Sequence, residues 1–159
     1  LGRLLKFFHT IGAIGLMGAM AAILVLMRFA PPPTALADYA LMRGAMADIA
    51  TWILFPSLAL TLIAGLLAIA SNRAFHNAGW AWAKLLTGII IFEGGLVDAV
   101  GPIQEEARRS AAALAGRSDP ATITGSYGAE QSTLWVLMAV ATANVILGIW
   151  RPRLTRIPD

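Results

Sequence analysis

Apolar residues run almost unbroken through four stretches of the chain, about residues 4–27, 49–70, 80–103 and 133–150, with proline, glycine or charge between them. A bilayer's hydrocarbon layer takes about 20 residues of helix to cross, so each stretch is long enough to span it. Trp52, Trp80, Trp82, Trp135 and Trp150 fall near the ends of these stretches. An amphipathic indole prefers that headgroup level, which supports the boundaries. Pro31, Pro32 and Pro33 end the first helix, and a short extension of the second begins near Asp38. The third helix is expected to continue past Pro102 through the amphipathic run IQEEARRSAAALAG before RSDPATITGSYGAEQS breaks into polar loop. Residues 104–132 therefore form the one long connection, on the outer side. Arg3 and Lys6 ahead of the first stretch, with Ala35-Leu36-Ala37 behind it, outline a signal peptide. Its apolar core exceeds the about 7 to 15 residues of such a segment, so a retained span is expected.

Composition fixes the class. The chain is 58% hydrophobic and only 13% charged, with a mean hydropathy of +0.71. Soluble domains carry about a quarter charged residues. The expectation is an all-α integral membrane protein, a four-helix transmembrane bundle forming one domain over residues 1–159, with the lipid bilayer as its first partner. The absence of cysteine excludes disulfides, thiolate metal sites and cysteine nucleophiles. The net charge of +3 sits in short groups flanking the apolar runs, as topology signals do, and points away from nucleic acid. Arg3, Lys6, Arg73, Arg151, Arg153 and Arg156 share one side, with Lys84 just inside it; Arg28, Arg43, Arg108, Arg109 and Arg117 share the other. The richer side is expected to be cytoplasmic, which places both termini there.

Against that background a few polar residues stand out inside the spans. Glu93 and Asp98 lie in GIIIFEGGLVDAVG. At about 1.5 Å per residue from Trp80, Glu93 is about 20 Å into the layer and Asp98 about 27 Å, near its outer edge. Glu93 is expected to point into the bundle, neutral and hydrogen-bonded to Thr61, Asn144 or water, and serves either packing or proton transfer. Asp98 is expected to pair with Arg28 or Arg43, with Asp48 at the same level. On a regular helix the two carboxylates are about 140° apart, so separate partners are expected. His9 shares a stripe with Gly12, Leu16 and Ala19, which turns it toward other helices as an interhelical hydrogen-bonding group or a haem or metal ligand. Lys84 enters from the same face at similar depth, either snorkelling or facing His9. His76 reads as a loop histidine, and the six methionines read as core rather than copper ligands. No Gly-rich phosphate loop, paired-histidine metal motif or serine-hydrolase elbow is present.

The stretches LLKFFHTIGAIGLMGAM, YALMRGAMADIATWILFPSLALTLIAGLL and WAWAKLLTGIIIFEGG resemble small membrane proteins related to the CopD copper-resistance domain and the HemJ-type protoporphyrinogen oxidase. The resemblance covers roughly residues 4–100. Its marks are a first-helix K-x-x-H, an arginine before the second helix, T-W opening an apolar helix, and W-x-x-x-K-L in the third. It implies haem b in a bacterial inner membrane, with His9 as ligand, Lys84 in a catalytic or cofactor-binding role and Arg43 in the cofactor-binding position before the second helix; Glu93, from its depth in the span, is the catalytic candidate as a proton carrier or a polar cofactor contact. The HemJ pattern has a second histidine two residues before the lysine, and Trp82 stands there. Bis-histidine ligation by that route is closed, which leaves a haem held by His9 alone, an unusual second ligand such as His76 or a methionine, or a scaffold that has lost its cofactor. The resemblance thus implies a haem- or redox-associated protein; the alternative is a non-catalytic accessory or structural subunit of a larger respiratory or photosynthetic membrane complex, with other membrane subunits or a second copy as partners.

Overall fold

The computed structural model describes residues 2–72, 76 and 78–150, and among these the chain is helical with no strand. Helix α1 is Gly2–Arg28. Helix α2, Leu36–Ile49, passes through a π-helical turn, Ala50–Leu54, into α3, Phe55–Ser71. Helix α4, Gly79–Gly94, likewise passes through a π-helical turn, Gly95–Val100, into α5, Gly101–Leu114. A 3₁₀ turn, Pro120–Thr122, precedes α6, Gly128–Trp150. These segments make four helices long and apolar enough to cross a membrane. The architecture is that of a multi-pass membrane protein.

The four expected apolar helices are present. The second helix starts at Leu36, close to the extension expected near Asp38. The third runs on past Pro102 to Leu114, and the fourth starts at Gly128 instead of near residue 133. The connection expected over 104–132 is therefore helical at both ends. Of the cations used for orientation, Arg73, Arg151, Arg153 and Arg156 lie outside the described residues.

The two π turns have one cause. Proline lacks an N–H and its ring crowds the carbonyl four residues back, so it cannot continue an ordinary helical ladder. Pro56 and Pro102 each stand two residues beyond a π turn. The ladder widens there to five-residue bonds: the Phe55 N–H donates to the Ala50 carbonyl, and the Gly101 N–H to the Leu96 carbonyl. The helices continue without breaking.

Around the bundle α1 packs chiefly on α3, α3 on α4, α4 on α6, and α6 back on α1. Gly12 sits where an added Cβ would come within 3.0 Å of Thr61 N and Ser57 O, and Gly15 sits against the Ser57 side chain. Small residues let these backbones approach. Gly95 packs on Leu58 and Leu137 in the same layer. Gly15, Ser57, Leu58 and Gly95 therefore mark a common level, about 20 Å from either end of α1. At the end of the bundle away from Gly2, termed the outer end, α2 packs on α5. Each of their continuous helices has 36 residues, about 54 Å, so α2 and α5 reach well past a hydrocarbon layer of about 30 Å and form a cap.

Candidate functional site

Below the Gly15 level every span contributes a polar group. His9 projects from α1 onto α3, its ring against Gly65 and its Nδ1 2.9 Å from the Thr61 carbonyl oxygen. A carbonyl only accepts, so Nδ1 carries the hydrogen and the lone pair of the neutral ring lies on Nε2. The Thr61 hydroxyl donates to the Ser57 carbonyl at 2.7 Å. From α4, Thr87 Oγ1 lies 2.9 Å from Asn144 Oδ1 of α6. One turn further in, Lys84 lies over Gly148, where an added Cβ would stand 2.9 Å from Nζ. The structure thus brings His9 and Lys84 to one end of the bundle, as the sequence led us to expect. Thr61 and Asn144, expected as partners of Glu93, belong instead to this layer.

Glu93 and Asp98 are placed differently from expectation. Both are exposed on the outside of the bundle, where they line one shallow groove with Ile90, Gly94 and Val97. Five residues of regular helix would separate them by about 140°. The π turn from Gly95 absorbs the extra residue and returns Asp98 to the side of Glu93. Neither makes a hydrogen bond or ion pair with a described residue. Asp98 is also deeper than expected. It lies one turn from the Gly95 level, whereas Arg28 is about 15 Å further out along α1, beyond the reach of its side chain. Arg28 and Asp48 are exposed and form no ion pair among the described residues.

Arg43 is taken up elsewhere. It is wholly buried in the outer cap, where its Nη1 lies 2.6 Å from Glu130 Oε2 of α6. Its Nη2 donates to the Ser126 carbonyl at 3.2 Å and its Nε to the Tyr39 hydroxyl at 3.1 Å. Tyr39 in turn donates to Glu106 of α5 at 2.9 Å. The guanidinium centre lies 4.0 Å from the Tyr127 ring centroid. Burial pushes the Tyr127 phenol above its ordinary value. This clamp ties α2, α5, the outer loop and α6 together, and it stands at the opposite end of the bundle from His9. Arg43 is thus neither the Asp98 partner nor a neighbour of the His9 layer. Glu130 was not singled out in the sequence because it lies in a stretch read as loop.

The other candidates stay structural. His76 is exposed, 3.0 Å through Nε2 from the Ile69 carbonyl, while Trp82 donates to the His76 carbonyl. Met20 and Met46 are wholly buried in the core. No group of three or more metal-ligating histidine, aspartate or glutamate side chains occurs among the described residues. The donor set fits a haem held by one protein ligand. His9 has its Nδ1–H tied to a carbonyl, the arrangement that orients metal-ligating histidines and directs Nε2 to the metal. Trp82 supplies no second ligand. Comparison with known proteins returned no family model, no curated protein and no solved structure matching this chain.

Proposed function

We propose that the protein is a haem- or redox-associated integral membrane protein of the CopD/HemJ-like type, lying in a bacterial inner membrane with both termini cytoplasmic. The observation that supports this reading is the His9–Thr61 hydrogen bond, which fixes the ring and leaves Nε2 as a coordinating or proton-accepting atom at the end of the bundle that also holds Lys84. A bound haem b would supply one-electron chemistry. His9 would hold the iron, with Thr61 setting its tautomer, and Lys84 would answer a propionate or another anion at the cytoplasmic end. Arg43 and Glu93 have no part in this site, because one is consumed in the outer clamp and the other faces away from the bundle. The test is the absorption spectrum of the purified protein. A Soret band is expected, lost or shifted in His9→Ala with helical content unchanged. A colourless, folded wild type that gives no spectral change with added haem overturns the reading.

One observation favours a second reading, an accessory subunit that associates with other membrane proteins: the outward-facing pair Glu93 and Asp98. A bundle surrounded only by lipid has no use for carboxylates on that face.

A further inference from the structure

Glu93 and Asp98 straddle the level of Gly15, Leu58 and Gly95, midway along the spans, and both point away from the bundle. Ionisable groups at that depth ordinarily face a bundle interior or a water-filled cavity, and an ionised carboxylate in hydrocarbon is stabilised only by a cation or a hydrogen-bonding partner. The described residues offer neither. Among its described cations, Lys84 lies over Gly148 toward the inner end, Arg28 stands at the outer end of α1, and Arg43 is buried against Glu130. A second copy in parallel orientation presents the same carboxylates at this level and no cation. Exposed Ile90 and Val97 border the pair. The face thus has an apolar rim and two carboxyl groups at its centre.

We propose that this face of α4 and its π turn docks a transmembrane helix of another membrane protein that carries a lysine or arginine near the middle of its span. The cation sits between Glu93 and Asp98, and the π turn is what places both carboxylates on one side of the helix. This rests on the accessory-subunit reading only in that the chain associates within the bilayer. It stands whether or not His9 holds a haem.

The test uses the full chain in phosphatidylcholine bilayers, with a fluorescence donor on its outer loop and acceptor-labelled synthetic polyleucine helices that have lysine, glutamine or leucine at the centre. Wild type is expected to show energy transfer to the lysine helix at a peptide-to-lipid ratio about ten-fold below that needed by the leucine helix. That advantage is expected to vanish in the Glu93→Gln/Asp98→Asn double variant. Equal transfer to the lysine and leucine helices on wild type overturns the proposal without reference to any variant. An equal gain for the glutamine helix also overturns it, because hydrogen bonding without charge would then suffice. Self-association of labelled wild type that is lost in the double variant, with no preference for the lysine helix, assigns the face to a second copy and likewise overturns it.

Discussion

At the scale of single residues, the buried charge and the exposed charges make opposite demands. Arg43 has its guanidinium out of water and satisfied by Glu130, Tyr39 and Ser126. Removing one partner of a buried pair leaves the other charge uncompensated, a loss of about 3–5 kcal/mol. Arg43→Ala is expected to lower the thermal unfolding midpoint in detergent accordingly, while Arg28→Ala, exposed and unpaired, is expected to change stability by less than about 0.5 kcal/mol. A comparable drop in both variants would mean that the clamp does not hold the outer end together. The sequence made His9 legible because a lone histidine on a small-residue stripe has few places to point. It did not reveal the Arg43–Glu130 pair, whose members are 87 positions apart. Nothing local in AEQST marks Glu130 as a partner; only the packing of α2 against the start of α6 does.

At the scale of elements, two features decide how the helices meet. The first is the glycine seam. Ala at Gly12 would drive its methyl into the Thr61 side chain and within 3.0 Å of α3 backbone atoms that cannot yield cheaply, whereas Gly18 has open space around it. Gly12→Ala is expected to destabilise by about 1–3 kcal/mol through overpacking. Gly18→Ala is expected to be neutral or stabilising by up to about 1 kcal/mol, since alanine is the better helix former. Parallel denaturation curves of the two variants check the contrast, and equal effects would show that α1 and α3 are not held by close approach. The second feature is the pair of π turns. Spans and extensions were readable because apolar length and amphipathic period persist through them. The directions of Glu93 and Asp98 were not, because a constant 100° per residue was applied across a segment where the ladder changes. The signal was present in LFP and VGP, prolines deep inside otherwise helical runs.

At the scale of the whole molecule, polar groups are sorted by level: the His9 and Lys84 layer toward one end, the outward carboxylates midway, and the arginine clamp in the cap. The number of candidate spans follows from apolar length alone; the sorting needed the fold, because it depends on which levels of different helices coincide. The π turns also have a meaning for how the chain tolerates changes in length. Each acts as one residue inserted into a regular helix, a spacer that advances everything beyond it by about 100°. The spacer between α4 and α5 lets one continuous helix show one face to α6 and another, bearing Ile103, Ser110 and Ala113, to the cap. Deleting Leu96 while replacing Pro102 with alanine would restore an unbroken α-helix of nearly the same length. Helical content is then expected to stay constant while the cap face rotates off α2, Tyr39 loses Glu106, and trypsin cleaves at Arg117 faster than in wild type. In this sense the length of the chain between Gly95 and Val100 is itself information, as specific as the side chains it carries.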